Sequence, residues 1–188
     1  MNYEIEIKAW VREPEAVRAR LEELTLPGRY YDKTDRYFSK QLPDGSAAVS
    51  TLFRLRNDGE HSIVTYKDRT VVDGTERNRE SEFSVDDADA FVFFAESLGF
   101  HLQISKRKRG RQYHYTCIEC PFDILVEFSL VEGLGEFVEL EVLLPDTSTT
   151  GIVNTATEEI RKLLNRIGIE STDIETRRYT QMLQERAR

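Results

Sequence analysis

Polar and apolar residues alternate with a period of two through most of the chain. In Tyr3–Trp10, Glu4, Glu6 and Lys8 fall on one side and Tyr3, Ile5 and Ile7 on the other, as successive side chains of a strand do. The same period predicts strands over Asp35–Lys40, Ser50–Asn57, Ser62–Asp68, Arg79–Val85, Leu102–Lys108, Gln112–Ile118, Phe122–Leu130 and Glu136–Leu144. Four segments carry helix signals instead. Glu13-Pro14 opens the first, with Val17, Leu21 and Leu24 on one face and Pro27-Gly28 as its end. Asp86-Asp87 caps the second, which runs through Phe91, Phe94 and Leu98 to Gly99. Thr149 or Thr150 starts the third, with Ile152, Val153, Ile160, Leu163, Leu164 and Ile167 before Gly168. Thr172 and Glu175 have the spacing of a capping box for a fourth, carrying Tyr179, Met182 and Leu183. Eight or nine short strands in hairpin-like order, with four helices, predict an α+β fold: a curved antiparallel sheet or barrel with helices outside. No long linker or internal repeat divides the chain, so residues 1–188 read as one domain, with Glu185–Arg188 frayed at its end.

The polar faces of these strands are charged, and several are sorted by sign. Arg54 and Arg56 share a face, as do Lys106 and Lys108, while Lys67 lies with Ile63 and Thr65. Glu80 pairs with Glu82. Glu127 and Ser129 lie opposite Val126, Phe128 and Leu130, and Glu139 and Glu141 alternate with Val138, Leu140 and Val142. On one strand alone, this is what an amphipathic strand with a solvated face looks like. Across several strands, a solvated sheet would normally mix the signs. Closing the sheet with its aliphatic faces outward, under the helices, would gather the doublets into one polar lumen with separate anionic and cationic zones. A cationic zone binds phosphates, and clustered Glu oxygens suit a hard divalent cation, Mg²⁺ or Mn²⁺. A polyphosphate with its metal needs both. The periodicity supplies the doublets without proving closure.

Composition narrows the field. The chain has 188 residues, 39% hydrophobic and 32% charged, with no apolar run near the length of a membrane span and no apolar leader at the start. Two cysteines cannot build a disulfide framework, so reduced thiols and a cytoplasmic location are expected. Three histidines argue against a site of several imidazoles. The net charge of −8 works against general nucleic-acid binding, although Lys106–Arg111 taken alone has the composition of an RNA-binding or localisation patch. Neither a nucleic acid nor a membrane is expected as partner.

At this point the ordered residues resemble a known family. Glu4-Ile5-Glu6-Ile7-Lys8 is similar to the ExExK signature of the CYTH, or triphosphate tunnel metalloenzyme, superfamily. Asp35-Arg36-Tyr37-Phe38 resembles its second strand, Phe53-Arg54-Leu55-Arg56 its RxR strand, Thr65-Tyr66-Lys67 its lysine strand, and Arg79-Glu80-Ser81-Glu82 its paired-acid strand. Val131–Glu141 resembles the "VEGLG-FVE-E" segment of the class IV adenylyl cyclase branch. The resemblance implies an antiparallel, eight-stranded closed tunnel acting on triphosphates. Glu4, Glu6, Glu139 and Glu141 would hold Mg²⁺ or Mn²⁺, with Glu80 and Glu82 nearby. Lys8, Arg54, Arg56, Lys67, Lys106 and Lys108 would hold the triphosphate, Lys8 and the four leading glutamates being the catalytic set. Two positions depart from the pattern. Ser129 stands where the branch has an Asp, with Glu127 one step away on the same face, and Arg107 with Arg109 is the alternative register to Lys106 with Lys108.

Within the superfamily the resemblance implies an adenylate cyclase that converts ATP to cyclic AMP and pyrophosphate. The alternatives are a triphosphatase for tripolyphosphate, thiamine triphosphate or an NTP, and a non-catalytic polyphosphate-binding module, as monomer or homodimer. Cys117-Ile118-Glu119-Cys120 lacks a second ligand pair for zinc, so its thiols read as structural. Trp10, Tyr30 and Tyr31 could stack on a base, but packing is the simpler role. The last helix with Tyr179 either closes a tunnel mouth or, as expected by default, covers the barrel.

Overall fold

The structure, a computed structural model, describes residues 2–40, 52–116, 120–145 and 147–187. In chain order it forms β1 (Asn2–Trp10), α1 (Pro14–Leu24), β2 (Leu26–Lys40), β3 (Phe53–Asn57), β4 (Ser62–Val72), β5 (Thr75–Val85) and α2 (Ala88–Ser97). Then follow β6 (Phe100–Thr116), β7 (Asp123–Val131), β8 (Gly135–Pro145), α3 (Thr150–Arg166), a 3₁₀ turn at Ser171–Asp173 and α4 (Tyr179–Arg186). The strands close into one antiparallel barrel in the order β1-β5-β4-β3-β2-β6-β7-β8. A closed barrel has no unpaired sheet edge.

Closure follows from which faces are greasy. Ile5 and Ile7 of β1 and Leu140 and Val142 of β8 are fully buried, but on the outside of the barrel, against Val153, Ala156, Ile160, Leu163 and Leu164 of α3. Fully burying an aliphatic side chain of this size contributes about 1.5–3 kcal/mol. The aliphatic half of each alternating strand therefore holds the helix layer, and the charged half is left facing inward. Thr149 Oγ1 accepts a bond from the Ile152 amide and sets where α3 starts. α2 begins at Asp87, whose carboxylate accepts from the amides of Asp89 and Ala90, and it covers Phe38, Leu55 and Val64.

Several sequence expectations are corrected. α2 packs through Ala88, Phe91, Val92 and Ala95, while Phe94 and Leu98 are exposed. α1 ends at Leu24, and Pro27-Gly28 already belong to β2. Leu102–Lys108 and Gln112–Ile118, expected as two strands, are one strand, β6, which passes through Gly110 without a break, Ile118 lying outside the described residues. A Cβ on Gly110 would lie 2.1 Å from the Phe128 carbonyl oxygen, so the glycine marks a close approach of β6 to β7, not a turn. Thr172 and Glu175 do not box a helix. α4 starts later, with Arg178 at its N-cap position but no side-chain cap, and Glu175 instead accepts from the Trp10 indole at 3.1 Å and from Arg177. Glu185 and Arg186 are not frayed: Glu185 pairs with Arg177, and Arg186 donates to the Gly133 carbonyl at 2.6 Å. Cys120 is disulfide-bonded, against the reduced thiol expected, while Cys117, Ser50, Thr51 and Arg188 lie outside the described residues. No helix among the described residues is long and apolar enough to cross a membrane.

Candidate active site

Because directly opposed residues of neighbouring strands share a face, the register fixes the lumen. Glu6 stands opposite Glu141, and Lys8 opposite Glu139. Glu4 stands opposite Asn78, Lys67 opposite Glu80, Arg56 opposite Asp35, and Asp35 also opposite Lys106. Glu6, Lys8, Arg54, Arg56, Lys67, Lys106, Lys108 and Glu139 all line one cavity of about 150 Å³. The structure thus brings together most of the residues singled out from the sequence. Lys106 and Lys108 point inward and are buried, whereas Arg107 pairs outside with Asp32 at 2.6 Å, which settles the placement of that strand. Glu82 sits at the rim, its side chain 45% exposed, accepting from the Thr65 hydroxyl at 2.7 Å and lying 3.6 Å from Arg54.

The charges interleave and do not form separate zones. Lys67 bridges Glu4, at 2.9 Å, and Glu80. Asp35, wholly buried, takes two bonds from Arg56, at 2.7 and 3.0 Å, and one from Lys106 at 2.9 Å. Burial works against its ionisation, yet Lys106 and Arg56 hold its carboxyl well below the usual range. Glu127 is gripped the same way by Lys33 at 2.6 Å, Lys108 at 2.7 Å and Gln112 at 2.9 Å. Its pKa, too, is pulled far down by Lys108 and Lys33 against the effect of burial. Lys108 also pairs with Glu139, but burial outweighs these partners and brings its pKa down to about 8.

One spot is of a single sign. Glu6 and Glu141 face each other, and no Lys or Arg nitrogen of the described residues lies within 4.0 Å of either. Burial, then the neighbouring carboxylates Glu76 and Glu4, push Glu6 up to about 8; burial, then Glu4 and Glu6, do the same to Glu141. These hard oxygen donors in want of positive charge fit a divalent cation such as Mg²⁺ or Mn²⁺. Glu4 adjoins them but is engaged by Lys67 and by Asn78 at 2.8 Å. Among the described residues, no three metal-type ligands are already gathered at one point.

Sequence reasoning missed Lys33, Arg69, Glu76 and Arg178. Arg69 grips Glu76 with its Nε at 2.8 Å, and Glu76 lies 3.8 Å from Lys8. Lys33, Arg69 and Glu76 lie in β2, β4 and β5 beyond the segments whose alternation predicts a strand. The turn Asp73-Gly74, with positive φ at both residues, is the signal that could have found two of them, since such a two-residue hairpin requires strands on both sides of it. The last helix does more than cover the barrel. The buried ring of Tyr179 lines the cavity, with Lys8 Nζ at 4.5 Å and Lys106 Nζ at 4.6 Å from its centroid. Trp10 packs on Phe137, with ring centroids 4.1 Å apart.

Comparison with known proteins agrees with this geometry. PH1012 of Pyrococcus horikoshii OT3 has 25% sequence identity, a TM-score of 0.73, and a match covering 96% of this chain and 99% of that one. A candidate adenylyl cyclase from Hippeastrum, described as having a dominant triphosphatase activity, shares the fold at a TM-score of 0.62 and 13% identity, over 98% and 96% of the two chains. Adenylate cyclase CyaB of Aeromonas hydrophila is 27% identical over 109 residues, 58% of this chain and 52% of CyaB, so the match spans about half the length of that curated relative. The sequence model of the CYTH domain matches residues 2–179, and the chain belongs to the CYTH domain family.

Proposed function

We propose that the protein is a divalent-metal-dependent enzyme that binds a triphosphate in the barrel lumen and acts as a class IV-type adenylate cyclase, converting ATP to cyclic AMP and pyrophosphate. The observation that carries this reading is the cavity that Arg54, Arg56, Lys67, Lys106 and Lys108 line together with Glu6, whose cross-strand partner Glu141 faces it, neither carboxylate having a Lys or Arg nitrogen of the described residues within 4.0 Å. Arginine offers two parallel bonds to phosphate oxygens, and lysine a point charge. Both would hold the non-reacting phosphates and stabilise the leaving pyrophosphate. Glu6 and Glu141, with Glu4 and Glu139 beside them and Glu80 and Glu82 further out, would hold Mg²⁺ or Mn²⁺. A metal there would polarise the attacked phosphate and lower the pKa of the attacking hydroxyl or water. Tyr37, Leu52 and Phe53 give one side of the cavity an apolar wall on which a base can lie. The family membership and the CyaB relative support the same choice.

A second reading, hydrolysis of tripolyphosphate or an organic triphosphate, is favoured by the many charged side chains of the cavity lining, which can hold a polyphosphate without a nucleoside. It needs the same cations and the same carboxylates, with water as the attacking group. The deciding experiment incubates ATP, thiamine triphosphate and tripolyphosphate with Mg²⁺ and with Mn²⁺ and separates the products by chromatography. Cyclic AMP with pyrophosphate is the expected result. Release of orthophosphate alone would replace the cyclase with the hydrolase, and binding without turnover would leave a polyphosphate-binding module. If no triphosphate bound, the reading of the lumen would be wrong.

A further inference from the structure

Beyond one wall of the cavity lies a further layer of charge. Lys108 and Glu139 line the cavity, whereas Lys33, Gln112 and Glu127 do not. The register still puts all five on the inner face, Lys33 opposite Lys108, and Glu127 opposite both Gln112 and Glu139. The two oxygens of Glu127 serve different partners. Oε2 accepts from Lys108 Nζ at 2.7 Å, while Oε1 accepts from Lys33 Nζ at 2.6 Å and from Gln112 Nε2 at 2.9 Å. Of the described carboxylates, Glu127 alone lies within 4.0 Å of Lys33. The Tyr31 ring lies beside both ammoniums, its centroid 4.3 Å from Lys33 Nζ and 5.9 Å from Lys108 Nζ.

Lys33 is buried and Glu127 nearly so. Taking such a pair out of water is costly, and well-packed apolar residues of similar volume would usually serve stability as well or better. Contact with a ligand does not account for the pair either, since neither residue lines the cavity. What the pair alters is the charge that Lys108 has left to offer. Lys108 is held between two carboxylates, Glu127 and Glu139. Two negative charges against a single ammonium would leave this wall anionic and hold Lys108 away from a phosphate. With Lys33 counted, the two lysines balance the two glutamates, and Glu127 is neutralised by a cation that does not reach the cavity. Inside a confined lumen, such a nearby charge is little screened by salt or water.

We propose that Lys33 is a positioning residue for polyphosphate binding: by neutralising Glu127 from beyond the cavity wall, it leaves the Lys108 ammonium available to a phosphate that Lys33 itself does not touch. The inference rests on the triphosphate reading of the lumen and deepens it, assigning a role in ligand affinity to a charge pair that lies outside the cavity.

The test titrates inorganic tripolyphosphate into the full chain by calorimetry, without metal, and records thermal melts of the same samples. Lys33→Met is expected to weaken binding by about tenfold, as loss of one charge-assisted phosphate contact does, and Lys33→Arg to bind like the wild type. Adding Glu127→Leu to Lys33→Met removes the uncompensated carboxylate, and this double variant is expected to return to within about threefold of the wild-type affinity. A purely structural role would lower the melting temperature of Lys33→Met and leave its affinity unchanged. A direct contact between Lys33 and the ligand would give a loss that the double variant retains. Either result would overturn the proposal. If Lys33→Met failed to fold, the double variant would decide against the wild type: near-equal affinity supports the proposal, and a tenfold loss overturns it. Wild-type binding that Lys33→Met leaves unchanged would overturn this inference alone, whereas absence of wild-type binding would overturn the triphosphate reading as well.

Discussion

Asp35 offers the sharpest test of how the lumen cations are kept ready. It is wholly buried and is the shared counterion of Arg56 and Lys106. Asp35→Asn preserves shape but removes the charge, leaving a guanidinium and an ammonium side by side in a confined space. Removing one partner of a buried ion pair costs about 3–5 kcal/mol. For a chain of this length, 188 residues, that corresponds to a melting temperature lower by roughly 6–20 °C.

The same change should act oppositely on ligand binding. In the unliganded protein, Asp35 occupies the guanidinium and ammonium protons that a phosphate would use. With Asp35 neutral, tripolyphosphate becomes the missing counterion, so the variant should bind it more tightly and gain more melting temperature from it than the wild type does. Thermal melts with and without tripolyphosphate, and a calorimetric titration, measure both effects. The double variant Asp35→Asn/Arg56→Gln should lose less stability than the sum of its parts, because the first change has already broken the pair. A variant that melted like the wild type, or that bound tripolyphosphate less tightly, would refute the reasoning. The second outcome would mean that Asp35 orients the cations for phosphate and does not compete with it.

Other expectations concern the acidic pair and the barrel wall. Glu6 and Glu141 keep their protons up to about pH 8 in the folded state, whereas in the unfolded chain they lose them near the usual carboxylate value. The folded form therefore binds more protons between these values, and metal-free stability should fall as pH rises from about 5 to 8, by roughly 4 kcal/mol for each carboxyl that keeps its proton. Mn²⁺ should reverse the loss; a flat or rising melting temperature over that window would contradict the assignment. Glu141→Gln removes one of two facing carboxylates, so it should raise the metal-free melting temperature at pH 8 while abolishing metal-dependent turnover. Surviving activity would exclude Glu141 from the metal site. Arg56→Ala should raise the apparent KM for every triphosphate, and an effect confined to ATP would place Arg56 at the nucleoside instead. Gly110→Ala sets a methyl carbon against the Phe128 carbonyl, 2.1 Å away without relaxation, and should lower stability by about 1–3 kcal/mol in a denaturant titration, with no effect expected from the added hydrophobicity itself.

How far the chain declares this architecture depends on the range of the physics involved. Alternation on a strand is local, so Glu4-Glu6-Lys8, Arg54-Arg56 and Glu139-Glu141 could be assigned to inward faces residue by residue, and the aliphatic alternates left no other layer for α3 to cover. Strand length is less local. Asp73-Gly74 looks like a loop when composition is counted, but its positive φ values make a two-residue hairpin, and the strand ends it joins bring Arg69 onto Glu76. Gly110 misleads in the other direction: an absent side chain reads as a break, while its real purpose is room for the neighbouring backbone. Partner choice between strands is not local at all. Nothing within Asp35–Lys40 says that β3 and β6 will flank it, so the sequence suggests zones of one sign where the register makes Asp35 a counterion between two cations. The same limit hid the end of α4, because only closure of the barrel brings Arg178 to the cavity, near Arg69 and Glu76. Against this background of paired charges, the facing carboxylates Glu6 and Glu141 stand out, having no Lys or Arg nitrogen of the described residues within 4.0 Å. The metal of a metal-bearing polyphosphate carries the opposite charge.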